Sequence, residues 1–269
     1  MSTRTAVVLA AGLGTRMRQS AEGAVVSAEQ AAVAGRGLKA MIPVGRPFLD
    51  YVLSGLADAG IERVCLVVSP DHALIAQRYR SQVIPTRFEL IFAVQASPRG
   101  TADAVLAAAP VVGLLPFLVV NSDNLYPAAA LTALGALDSP GLIGYQRDAL
   151  IRDSNIEPER IARYALLWAD PAGWLTRIVE KPDPGTAEPL GALVSMNSWR
   201  FGPAIFEACR SIRPSNRGEL EIQDAVAFAG ERLGERFRVV PFAGGVLDLS
   251  HQGDIAEVAR RVRGIEVRL

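Results

Sequence analysis

A short apolar run at residues 5–9, followed at once by Gly12-Leu13-Gly14-Thr15-Arg16, limits more than any other stretch how this chain can fold. A strand covered on both faces reads as a continuous apolar run, and two glycines two apart let the backbone turn tightly after it. The N–H groups of such a turn, with the fixed charge of Arg16, suit a ligand carrying several phosphates. Spacing excludes two commoner glycine-rich loops. A dinucleotide loop needs glycine at position 17, where Met17 stands, and a Walker loop needs Gly-Lys-Ser/Thr, where Gly14-Thr15-Arg16 stands.

Behind this loop, strand-like runs at 63–68, 88–93 and 116–120 alternate with helical patterns at 47–59, 71–80 and 101–109. That alternation predicts an α/β fold, a Rossmann-like mixed and mainly parallel sheet flanked by helices. The first of the helices has Pro47 near its start, Leu49, Val52, Leu53 and Leu56 on one face, and Gly60 just beyond its end. In the second half, strands at 141–145, 163–168, 174–179 and 193–201 and helices at 203–212 and 221–233 extend the sheet, two short strands flank Gly244-Gly245, and a helix starts near Gly253. The expected organisation is one domain over 1–269, with halves at about 1–125 and about 126–269. Residues 18–37 interrupt the path from the loop to the next element. Ser27 with Gln30 forms a capping-box pattern and Gly35 a stop, so a helix over 28–34 is expected inside a segment that is either a surface insertion or a lid over the triphosphate.

Lys plus Arg equals Asp plus Glu at 28 each, which argues against nucleic acid as a partner and is compatible with a small phosphorylated ligand. Half of the 269 residues are hydrophobic, enough for a large core, and only five apolar residues separate the first few positions from the glycine loop. Neither a leader nor a membrane span is expected, so the location read from the sequence is cytoplasmic. Cys65 and Cys209 have no metal or disulfide spacing and read as core thiols, His72 and His251 as structural residues.

Six motifs follow one another in register: residues 9–17, Leu38-Lys39-Ala40-Met41-Ile42-Pro43, Gln95-Ala96-Ser97-Pro98-Arg99-Gly100-Thr101-Ala102, Asn121-Ser122-Asp123, Val179-Glu180-Lys181-Pro182 and Leu247-Asp248-Leu249. This order, over about residues 5–256, resembles the sugar-1-phosphate nucleotidylyltransferases, the group of the glucose-1-phosphate thymidylyl- and uridylyltransferases. The resemblance implies transfer of a nucleotidyl group from a nucleoside triphosphate, UTP or dTTP, to a sugar 1-phosphate, with release of pyrophosphate. A phosphomonoester has a second pKa of about 6 and is already a nucleophile at neutral pH, so such a site needs cations and backbone donors rather than a general base. By resemblance, Asp123 and Asp248 hold Mg²⁺; Arg16 and Lys39 steady the triphosphate; Lys181 holds the sugar phosphate. Leu9, Ala11, Gly12, Gly14, Thr15, Gln95, Gly100 and Thr101 meet the nucleotide, with Gln95 pairing a pyrimidine edge and Gly100 allowing close approach. Glu180 and Asn197 contact sugar hydroxyls, Asn197 being equally readable as a strand-end turn residue.

Departures from the family pattern fall on the sugar side: Ser122 and Ala165 stand where glycines are usual, and Ser250-His251-Gln252 replaces Gly-Thr-Pro. No hexapeptide-repeat extension is expected, and apolar surface on the second-half strands would allow a homo-oligomer. Two other readings use the same residues. One is CMP transfer to a phosphomonoester such as phosphocholine, which an aromatic cage built from Trp168, Trp174 and Trp199 would favour. The other is a regulatory nucleotide-sugar-binding protein without turnover.

Overall fold

The computed structural model describes residues 2–19, 24–180 and 191–269. Its strands are β1 (Thr5–Ala10), β2 (Arg63–Val68), β3 (Glu89–Val94), β4 (Phe117–Asn121), β5 (Asn124–Leu125), β6 (Gly141–Tyr145), β7 (Leu166–Ala169), β8 (Leu175–Val179), β9 (Leu193–Phe201), β10 (Arg238–Phe242) and β11 (Leu247–Asp248). The helices are α1 (Thr15–Arg18), α2 (Ala28–Gly35), α3 (Phe48–Asp58), α4 (Ala73–Gln77), α5 (Thr101–Ala107), α6 (Ala109–Val112), α7 (Ala128–Gly135), α8 (Arg147–Asp153), α9 (Pro158–Ile161), α10 (Ala204–Ser211), α11 (Ile222–Arg232) and α12 (Asp254–Arg261).

The main sheet runs β10-β6-β9-β4-β1-β2-β3, with the β7–β8 hairpin attached to β9. β1 is central and parallel to both neighbours, Val8 lying opposite Leu66 on one side and Val120 on the other. β9 is antiparallel to both β4 and β6, so the sheet is mixed and mainly parallel, as the α/β alternation predicts. Successive side chains of β1 serve opposite faces. Ala6 and Val8 join one buried layer with Phe48, Leu53 and Leu134, while Val7 joins the other with Val105, Phe206 and Val226. Both faces are covered by helices, which is why β1, β2 and β4 read as unbroken apolar runs. Cys65 and Cys209 are buried within the second layer, as expected.

The structure corrects two expected elements and adds one the sequence pattern did not show. The strand at 163–168 begins only at Leu166, because Pro158 opens a helical turn that continues until the Tyr164 N–H bonds to Ile161 O at 3.1 Å. The helix at 71–80 is α4 followed by a wide turn over Arg78–Gln82, closed by the Val83 N–H on Arg78 O. That turn directs both Arg78 and Tyr79 onto the buried Asp50, at 2.5 and 2.7 Å. Helix α7, Ala-Ala-Ala-Leu-Thr-Ala-Leu-Gly, escapes periodicity because it has almost no polar face. The capping box of α2 is present, with Ser27 Oγ accepting from Gln30 N at 3.1 Å and Gln30 Oε1 accepting from Ser27 N at 2.9 Å.

Candidate active site

β1 and β4 are parallel neighbours whose C-terminal ends open on the same side, the position where α/β sheets hold ligands. A cleft of about 420 Å³ lies there. Leu9, Ala11, Gly12, Gly14, Thr15 and Arg16 line it from the first loop, Lys39 from the next, and Gln95, Gly100, Thr101 and Asp123 from β3, α5 and β4. The loop glycines have different jobs. Gly14 has φ +61 and its missing Cβ makes room for the carbonyl of Gly37, while Gly37, φ +73, makes room for the carbonyl of Leu13. Two backbone segments therefore cross in contact only because neither residue has a side chain. Nothing stands within 4 Å of the Cβ position of Gly12, so that glycine keeps the cleft wall open.

Lys39 and Asp123 meet across this space, Nζ donating to Oδ2 at 2.9 Å. Asp123 lies in the turn after β4 and precedes the small antiparallel ribbon β5–β11, in which Asn124 lies opposite Asp248 and the Leu249 N–H bonds to Asp123 O at 2.9 Å. The ribbon thus brings the two sequence-predicted aspartates together from distant parts of the chain. Asp248 is buried behind the cleft wall rather than in it. Its Oδ2 accepts from Asn124 Nδ2 at 3.2 Å and from the Tyr164 hydroxyl at 3.3 Å, and its Oδ1 from Arg160 Nη2 at 2.8 Å. Burial, and then the charge of Asp123, raise its pKa above the ordinary carboxylate value, with Arg160 acting in the opposite direction. Arg160 also reaches Asp254 at 2.6 Å, and Asp254 Oδ2 accepts the N–H groups of Ser250 and His251. His251 sits in that turn, as expected of it.

At the opposite end of the cleft, Gln95 Nε2 donates to Gly100 O at 3.0 Å and to Asp103 Oδ2 at 2.9 Å. Gly100 and Thr101 line the cleft but are shaped by a segment distant in sequence. At Gly100, φ +117, a Cβ would come within 2.5 Å of Leu220 O. The close approach that needs a glycine is therefore that of the 220 backbone. Thr101 Oγ1 accepts from Ile222 N at 2.9 Å, and the Ala102 N–H bonds to Leu220 O at 2.8 Å, so this helix start is partly engaged by the protein itself. The same segment delivers Arg217 and Glu219 to the cleft wall. His72 also lines the wall, its Nδ1 bonded to Ala10 O at 2.8 Å. Sequence reading missed Arg217, Glu219 and Arg160 as site components. The signal for the first two was the Arg-Gly-Glu-Leu-Glu run at 217–221 directly before a helix.

The family model for nucleotidyl transferases matches residues 5–241, spanning the glycine loop, Lys39 and Asp123. The chain belongs to the nucleotidyl transferase family. It is 30% identical to the UTP–glucose-1-phosphate uridylyltransferase of Haloferax volcanii over 265 residues, 96% of each chain. It is 28% identical to a glucose-1-phosphate thymidylyltransferase of Xanthomonas campestris pv. campestris over 230 residues, 83% of this chain and 68% of that one. A crystal structure of UDP-glucose pyrophosphorylase complexed with UDP-glucose shares the fold, with TM-score 0.76 at 19% identity, covering 98% of this chain and all of that one.

Of the remaining expected residues of this nucleotidyl transferase, Asn197 and Glu180 are described and neither lines the cleft. Asn197 is in the middle of β9 rather than at a strand end, at the irregularity where β9 slips in register against β6. With φ 55 it is the sole non-glycine residue in the left-handed region among the described residues, and its Oδ1 accepts from Gln223 Nε2 at 3.0 Å. Glu180 is exposed just after β8. Lys181 lies outside the described residues. The three tryptophans do not converge on one cage. Trp199 is fully buried and stacked on Phe201 at 5.5 Å, Trp168 faces Arg177, and Trp174 is flanked by Arg236 and Arg238 at 4.3 and 4.0 Å.

Proposed function

We propose that this nucleotidyl transferase joins UTP or dTTP to a sugar 1-phosphate, releasing pyrophosphate and leaving a nucleotide sugar. The observation that carries the reading is the convergence of Arg16, Lys39 and Asp123, from three separate stretches, on one cleft walled by a glycine loop. The relatives named for transfer to glucose 1-phosphate support this substrate class. The attacking phosphate is already nucleophilic, so the site's work is to hold two anions together and to accept charge on the departing pyrophosphate. Backbone N–H groups of residues 11–14 and the charges of Arg16 and Lys39 serve the triphosphate. Gln95 meets the base, with Leu9, Ala11, Gly100 and Thr101 around it. Lys181 holds the sugar phosphate, and Glu180 and Asn197 serve the sugar hydroxyls.

Asp123 and Asp248 suit a hard divalent cation, since the β5–β11 ribbon brings two oxygen-donor carboxylates together beyond the end of β4. They would hold Mg²⁺, which when bound neutralises phosphate oxygens. Residues 1–125 then serve chiefly the nucleotide and residues 126–269 the sugar phosphate, within one catalytic unit acting in the cytoplasm. No helix among the described residues is long and apolar enough to cross a membrane. The test is incubation with UTP, glucose 1-phosphate and Mg²⁺, followed by both products. UDP-glucose and pyrophosphate should appear in equal amounts, and Lys181→Ala should raise KM for the sugar phosphate more than KM for UTP. Failure of every sugar 1-phosphate to give product would overturn the reading.

A further inference from the structure

The Gln95 amide is held in one orientation by the protein itself. Its nitrogen has two hydrogens, and both are used, one on Gly100 O at 3.0 Å and one on Asp103 Oδ2 at 2.9 Å. Both partners accept only. Turning the amide over would set Gln95 Oε1 against a carbonyl and a carboxylate, in surroundings where Gln95 is 5% and Asp103 8% exposed. Asp103 is itself fixed, its Oδ1 accepting from Arg99 Nη2 at 2.5 Å. Oε1 is therefore the polar atom that Gln95 has left for a ligand, and it has no partner among the described residues.

We propose that Asp103 is a positioning residue for base selection, fixing Gln95 so that it offers the nucleotide an acceptor and no donor. This rests on the reading of Gln95 as the residue that meets the base. An acceptor at that point pairs with the N3–H of uracil or thymine. Cytosine has a lone pair at N3, so two acceptors would face each other, and a buried polar mismatch of this kind discriminates strongly. The glutamine alone would not exclude cytosine, because a free amide rotates to present whichever end the base requires. The carboxylate behind it removes that freedom.

Equilibrium dissociation constants for UTP, dTTP and CTP, measured with Mg²⁺ on wild type, Asp103→Asn, Gln95→Met and the double variant, test this. The wild type should bind UTP and dTTP at least about tenfold more tightly than CTP. In Asp103→Asn, Arg99 occupies the remaining acceptor and the new amide N–H₂ faces Gln95, so the UTP-to-CTP preference should fall about tenfold. Asp103→Ala should move the preference the same way by less, and serves if the asparagine variant does not fold. In the Gln95→Met background, Asp103→Asn should leave the preference unchanged, which a merely structural role would not produce. If Gln95→Met alters the preference and neither Asp103 variant does, the positioning role is wrong while the base-reading role stands. If Gln95→Met leaves the preference unaltered, the base-reading role fails and the inference falls with it. A wild type that binds CTP as tightly as UTP also overturns the inference.

Discussion

Single residues of the cleft are specified by what they must avoid or neutralise. Gly14 has a left-handed backbone and lies against the Gly37 carbonyl, so Gly14→Ala meets both conformational strain and overlap with backbone that cannot swing aside. It should cost about 2 kcal/mol or more of unfolding free energy, read by urea denaturation. Gly12→Ala, with nothing near its Cβ position, should keep that stability. Lys39 is the cation paired with Asp123, and Lys39→Met should lower kcat/KM by about 100-fold while the melting temperature changes little, the pattern of a lost charge contact to phosphates rather than lost packing. Much of this scale was legible in the sequence, because Gly14, Asp123 and Gln95 follow strands whose apolar runs announce them, and Lys39 stands in a motif in register with theirs. The partners were not. Arg160 and Asp248 are 88 positions apart, and no local pattern says that an arginine in a short helical turn will reach a carboxylate in a distant ribbon.

Among the elements, those with local signals formed where expected and those depending on contact did not. The capping box of α2 is a local signal. Ser27→Ala removes the acceptor for Gln30 N and should cost about 1 kcal/mol locally, seen as faster amide exchange in α2 with the exchange of β1 unchanged. By contrast, the ribbon β5–β11 has two residues on each strand and exists because the chain returns to that place. The wide turn after α4 likewise goes with a distant contact, that of Arg78 and Tyr79 with Asp50. Strand β2 and helix α10 each bury a cysteine, and burial pushes both thiols up to about 12. Both should resist thiol reagents at pH 8 in the native protein and react fully once it is unfolded. Fast labelling of either in the native state would contradict the core placement.

Across the whole molecule, remote segments close around the ends of β1 and β4. The 217–222 stretch seats on Gly100 and Thr101, and Arg160 ties α9 to β11 and to the start of α12. Removing that arginine leaves Asp248 and Asp254 without their shared cation in a buried setting, so Arg160→Met should destabilise the protein by about 3 kcal/mol with an unchanged denaturant slope. The α/β class and the parallel half of the sheet follow from alternating patterns. The antiparallel insertion of β9 between β4 and β6 does not, because antiparallel and parallel neighbours bury the same apolar strand equally well. Closed in this way, the cleft should support nucleotidyl transfer to a sugar 1-phosphate with Asp123 in its machinery. The measurement is pyrophosphate release in Mg²⁺ for UTP, dTTP, CTP, ATP and GTP, each against glucose, galactose, mannose and N-acetylglucosamine 1-phosphates and phosphocholine, in wild type and Asp123→Asn. One uridine or thymidine triphosphate with one sugar phosphate should dominate, and the asparagine variant should lose at least about 100-fold of that rate. Release with phosphocholine alone, or an asparagine variant as active as the wild type, would contradict it.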